Sequence, residues 1–177
     1  MCRRRRLESP FFLAVLLGLG CGSARTESGA VNTTSSTTEV VQFAYETTQG
    51  QIFGSNTTRG RVTIVLFATT FDMASEWLAT LINRILHEHR PRINAGLVIL
   101  EAPEHAILAE TFRASLKLSY PVAMADSETL SGQSPFGRIS SVPTFFVLDR
   151  KGRIVWRRAG IAQRSEIVEA LHSAAER

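Results

Sequence analysis

Residues 141–155 read Ser-Val-Pro-Thr-Phe-Phe-Val-Leu-Asp-Arg-Lys-Gly-Arg-Ile-Val. Thr144 to Leu148 is a β-branched and aromatic run of strand length. Asp149-Arg150-Lys151-Gly152 follows as a hairpin turn, with Gly152 supplying the positive φ such turns require. Ile154 to Arg157 then pairs back as an antiparallel strand. Beyond it, Ser165 to Ala175 has the periodicity of a closing amphipathic helix with Ile167, Val168 and Leu171 facing inward.

Upstream the pattern changes from hairpin to crossover units. Val62 to Phe67 is continuously apolar and β-branched, which predicts a strand covered on both faces. Met73, Trp77, Leu81 and Ile85, with Leu78 and Ile82, recur at spacings of three and four and predict a helix. Asp72 is placed to cap it, because a carboxylate accepts the free amides of the first turn. Pro91 marks its end. Leu97 to Leu100 is a second buried strand, and residues 103–117 suit a helix with Pro103 in its first turn. Pro121 to Ala125 is a short strand, and residues 127–138 are Gly/Ser-rich with room for a short helix. Before all of these, Val40 to Tyr45 suits a strand, Gln49 to Gln51 a turn and Asn56 to Gly60 a polar loop. The order predicts an α/β sandwich with a mixed sheet. Trp77 and Trp156 are expected in the core or half buried, and Trp156-Arg157-Arg158 reads as a solvated strand end.

The first 39 residues have another character. Arg3 to Arg6 precede a short apolar run, Pro10 to Gly20, which is the anatomy of an export signal and is too short to span a bilayer. Gly20 stands directly before Cys21, an ending similar to the lipobox of bacterial lipoproteins. That resemblance implies cleavage before Cys21 and diacylglycerol on its thiol. It departs from the pattern at Gly18, where the family prefers Leu. Half of the eighteen residues 22–39 are Ser or Thr and none is aromatic, so this stretch reads as a tether. The expected organisation is therefore a signal at 1–20, a tether at 21–39 and one domain at 40–177. The formal charge of +4 falls to +1 without the four arginines and Glu8 of residues 1–21. A nucleic-acid footprint would need its basic excess on the domain itself, so no nucleic-acid partner is expected.

Three stretches resemble the thioredoxin superfamily, in its TlpA-like and redoxin branch. Val65 to Ser75 is similar to the strand, aromatic residue and Cys-x-x-Cys of that family. Ser119-Tyr120-Pro121-Val122 with Asp126 is similar to the strand before that family's fourth helix. Residues 141–155 are close to its cis-proline segment and hairpin, with Gly160 where the family usually has glycine. The resemblance spans roughly residues 40–172 and implies a three-layer sandwich with a mixed central sheet. It also implies a cis bond before Pro143 and a groove for an extended peptide beside Phe71, Asp72, Val142 and Pro143. In the family the helix N-terminus lowers a thiol pKa. Here the two cysteine positions are Asp72 and Ser75, and neither carries sulfur. A peroxiredoxin pattern fails at the same place, since Thr-x-x-Cys would read Thr69-Thr70-Phe71-Asp72.

The chain's two cysteines, Cys2 and Cys21, both precede the domain, so no disulfide framework or intradomain pair is available. His87 and His89 point about 200° apart on a helix and cannot share an ion; no metal or cofactor is expected. The reading is a non-catalytic binding or scaffold module of the cell envelope or periplasm, lipid-anchored through Cys21, with a protein or peptide client. The alternative is a thiol–disulfide oxidoreductase or peroxiredoxin-like antioxidant protein, for which Cys21, if unlipidated, is the only candidate thiol on the exported chain.

Overall fold

The computed structural model describes residues 39–89 and 92–177. The expected export signal, Cys21, nearly all of the expected tether and Pro91 lie outside the described residues.

In chain order the elements are a hairpin of β1 (Ala44–Glu46) and β2 (Ile52–Gly54), the one-turn helix α1 (Ser55–Thr58), β3 (Val62–Ala68), α2 (Met73–His89) and β4 (Ile93–Ile99). A 3-10 turn (Pro103–His105) then leads into α3 (Ala106–Ser115), followed by β5 (Val122–Met124), α4 (Ser127–Leu130), β6 (Thr144–Leu148), β7 (Ile154–Ala159) and α5 (Arg164–Ala175). The central sheet runs β5-β4-β3-β6-β7. β3 is parallel to β4 and antiparallel to β6, so the sheet is mixed, as the crossover-then-hairpin order predicts.

Both faces of the sheet are covered, in three layers. Ile64, Leu66 and Ala68 of β3 join the buried faces of α2, α3 and α5 in one core. Val65 and Phe67 point the other way, into an aromatic core with Phe43, Tyr45, Phe53, Phe136 and Phe146. There the rings meet edge-on or tilted, with Phe67 5.3 Å from Phe136 and 5.8 Å from Phe146. Such pairs add about 0.5–1.5 kcal/mol each beyond area burial.

Four expectations shift. The first strand begins at Ala44 rather than Val40, because Ser55 has already taken the backbone of Phe43: its amide donates to the Phe43 carbonyl at 2.9 Å and its Oγ accepts from the Phe43 amide at 2.8 Å. Residues 55–58 form α1 instead of a loop, since Thr57 and Thr58 hydroxyls bond the Gly54 backbone and stabilise a single turn. β4 begins four residues early, where Asn94 and Gly96 interrupt the apolar pattern. Trp77 is 47% exposed, because the inward stripe of α2 is Ser75, Leu78, Ala79, Ile82, Ile85 and Leu86. The Met73–Trp77 edge is thereby turned to solvent.

The end of β7 is less solvated than expected. Trp156 packs on Phe145 with ring centroids 4.9 Å apart. Arg157 lies 5.3 Å over the Phe146 ring, and Arg158 Nη1 pairs with Glu166 Oε1 at 2.6 Å, tying β7 to α5.

Gly96 explains how the N-terminal hairpin seats on the sheet. A Cβ there would overlap the Phe53 ring, so the missing side chain is the socket for that ring. Gly96→Ala is expected to destabilise the protein by about 1–3 kcal/mol, the range for overpacking a filled core. Urea denaturation checks it: the midpoint should fall with the slope unchanged.

Candidate functional site

The loop after β3 carries the sequence-predicted residues, and three polar contacts fix it. The Thr70 amide and hydroxyl donate to Glu101 Oε1 at 2.5 and 2.8 Å. Glu101 is buried, and its other oxygen lies 3.2 Å from His105 Nδ1. The Thr69 amide donates to Ser75 Oγ at 3.5 Å. Between these ties Phe71 is 80% exposed.

Asp72 begins α2 as a cap. Its Oδ2 accepts from the Ser75 amide at 2.8 Å and from Ser75 Oγ at 2.6 Å, and the Ala74 amide approaches Oδ1 at 3.4 Å. The Ser75 hydroxyl, more than any other group, holds the Asp72 carboxyl below the usual carboxylate range, and the two amides act in the same direction against some desolvation. Ser75 itself is fully buried and unreachable from solvent.

The second wall comes from the β6 side. The Val142–Pro143 peptide is cis. Thr144 lies opposite Phe67 in the β3–β6 register, which sets Val142 and Pro143 beside the outgoing end of β3. The Thr144 hydroxyl donates to the Ser141 carbonyl and the Gly160 amide to the Pro143 carbonyl, both at 2.7 Å. Pro143 is buried and Val142 half buried. Neither the amide nor the carbonyl of Val142 bonds to another described residue, leaving one donor and one acceptor for an extended strand.

With this geometry in view, the chain compares with solved structures. A secreted disulfide oxidoreductase of Mycobacterium tuberculosis superposes with a TM-score of 0.61 at 13% identity, over 75% of this chain and 96% of that one. A DsbF homologue from Corynebacterium diphtheriae gives 0.70 at 12%, over 84% and 96%. A thiol:disulfide interchange protein of the thioredoxin family from Chlorobium tepidum gives 0.62 at 22%, over 76% and 94%. The fold is thioredoxin-like. No family model matches the chain, and no curated protein sequence does.

The thioredoxin-like frame thus brings Phe71, Asp72, Ser75, Val142 and Pro143 to one end of the sheet, while Cys21 lies outside the described residues. Glu101 escaped the sequence reading. Its only signal was an acid directly after a buried apolar run, and a buried carboxylate requires donors that sequence order does not name. The Thr69 hydroxyl is buried there without a hydrogen-bond partner among the described residues. Among the described residues no group of three or more His, Cys, Asp or Glu is placed to hold a metal ion. At the opposite end of the sheet a concavity of about 480 Å³ includes Asn94, Arg113 and Tyr120, but Arg113 is already paired with Glu110 at 2.6 Å.

Asp72→Ala removes the cap and should cost about 1 kcal/mol at neutral pH. Because the folded-state pKa is depressed, the ionised cap's contribution is fully present above the unfolded value of about 3.9 and is lost as pH falls through the folded value. The gap between wild type and variant in urea midpoint should therefore narrow below about pH 4; a constant gap would assign the loss to something other than the ionised cap.

Proposed function

We propose that this chain is an exported, lipid-anchored module of the cell envelope that binds an extended peptide or protein segment and performs no thiol–disulfide exchange. The observation that carries the reading is the tip of α2, where an internal carboxylate–hydroxyl pair, Asp72 and Ser75, stands where exchange would need two thiols. With neither cysteine of the chain beyond residue 21, the domain holds no thiol. What supports a retained binding role is the open edge at Val142 beside exposed Phe71. A segment laid there gains main-chain hydrogen bonds in the manner of an added strand, and the Phe71 ring supplies apolar contact.

The rival reading, an oxidoreductase, draws on the activity ascribed to the structures of similar fold. Those are under a quarter identical to this chain, and fold alone does not carry activity. Export and anchoring rest on residues 3–21. Among the described residues no helix is long and apolar enough to cross a membrane.

Three measurements test this reading. Purified protein should show no insulin or peroxide reduction above a buffer control, and cross-linking in native envelope should capture a specific partner that Asp72→Arg loses. Measurable turnover overturns the non-catalytic reading, and identical captures from both proteins overturn the groove. Mass spectrometry of the mature N-terminus should find Cys21 as the first residue, carrying acyl chains; a free thiol there would return the oxidoreductase to consideration.

A further inference from the structure

The inward face of α2 is spent on the core, but its outward face is not an ordinary solvated one. Met73, Glu76, Trp77, Thr80, Leu81 and Arg84 surround a shallow concavity of about 350 Å³. Met73 is 84% exposed and Trp77 47%, on the side of an amphipathic helix where polar residues belong. Neither the Glu76 nor the Arg84 side chain makes a hydrogen bond or ion pair with another described residue. They cannot pair with each other, because eight residues separate them by about 12 Å along the helix axis.

Their placement is symmetric. Glu76 lies four residues before Thr80 and Arg84 four residues after it. An interface between identical copies about a two-fold axis must be self-complementary: if residue i meets residue j, then j meets i. An antiparallel copy of α2 crossing at Thr80 sets Glu76 of one copy against the partner's Arg84 and repeats the contact on the other side of the axis. Thr80 is small enough for close approach at the crossing, while Trp77 and Leu81 flank it and fill the seam. A second copy supplies both complementary charges at this spacing from the same two residues.

We propose that this face is a homodimer interface, α2 against α2 of a second copy about a two-fold axis at Thr80, closed by two Glu76–Arg84 ion pairs over Trp77 and Leu81. The proposal does not rest on the peptide groove. The groove lies at the N-terminal tip of α2 toward Val142, and the dimer seam runs along the helix flank.

Sedimentation equilibrium of the full chain in density-matched detergent tests the interface. Wild type should be dimeric. Glu76→Arg and Arg84→Glu each set like charges opposite one another at both contacts and should weaken the dimer about tenfold or more. Both positions are exposed, so circular dichroism should confirm unchanged helix content. An equimolar mixture of the two variants restores opposite charges at both contacts and should form a heterodimer of wild-type strength. A monomeric wild type overturns the proposal. So does a dimer indifferent to both substitutions, or a mixture that fails to re-associate.

Discussion

The placement of β3 between β4 and β6, with every one of its seven residues buried, is the constraint from which the other layers follow. A strand covered on both faces divides its side chains between two cores, and here the division is clean. Ile64, Leu66 and Ala68 require the helices, while Val65 and Phe67 require the aromatic cluster. Parallel pairing on one edge demands crossovers, so α2 and α3 share the helical layer. Antiparallel pairing on the other edge brings the start of β6 to the end of β3. The loop carrying Phe71 and Asp72 and the segment carrying Val142 and Pro143 meet for that reason, before any chemistry is considered.

Most of this was legible in the residues because the signals were strong and local. The run Val62 to Phe67, the hairpin turn ending in Gly152 (φ +83°) and the three-and-four spacing of α2 each have one natural reading. The errors fall where tertiary contact overrules local pattern. The Met73–Trp77–Leu81 spacing suits an inward stripe as well as the observed one does, and only the sheet decides which face wins. Gly96 breaks an apolar run for the sake of the Phe53 ring, a contact between residues far apart in sequence. Glu101 was invisible because its role depends on Thr70, which meets it only where the ends of the paired strands β3 and β4 lie side by side.

The electrostatics of the α2 tip limit what the proposed groove could recognise. A helix N-terminus of this length attracts an anion, and Asp72 supplies one from within the chain, held by two amides and a hydroxyl. A carboxylate or phosphate arriving from outside would meet a site already filled and a like charge. In the proposed binding role, recognition would fall to the free main-chain edge of Val142 and to apolar contact, which favours extended, uncharged segments over acidic ones.

The exposure of Phe71 belongs to the same network. An aromatic ring in water would ordinarily turn inward, yet both neighbours are tied: Thr70 to buried Glu101 and Asp72 to buried Ser75. These bonds cannot be surrendered cheaply, since freeing either side strands polar groups away from water. The ring therefore stays out because its backbone is fixed. Rigid presentation of a side chain lowers the ordering cost a partner must overcome on binding. The same tied loop starts α2 in a defined register, and that register sets Glu76, Thr80 and Arg84 along one flank. Groove and flank are separate surfaces, but both take their geometry from the few hydrogen bonds that anchor residues 69–75.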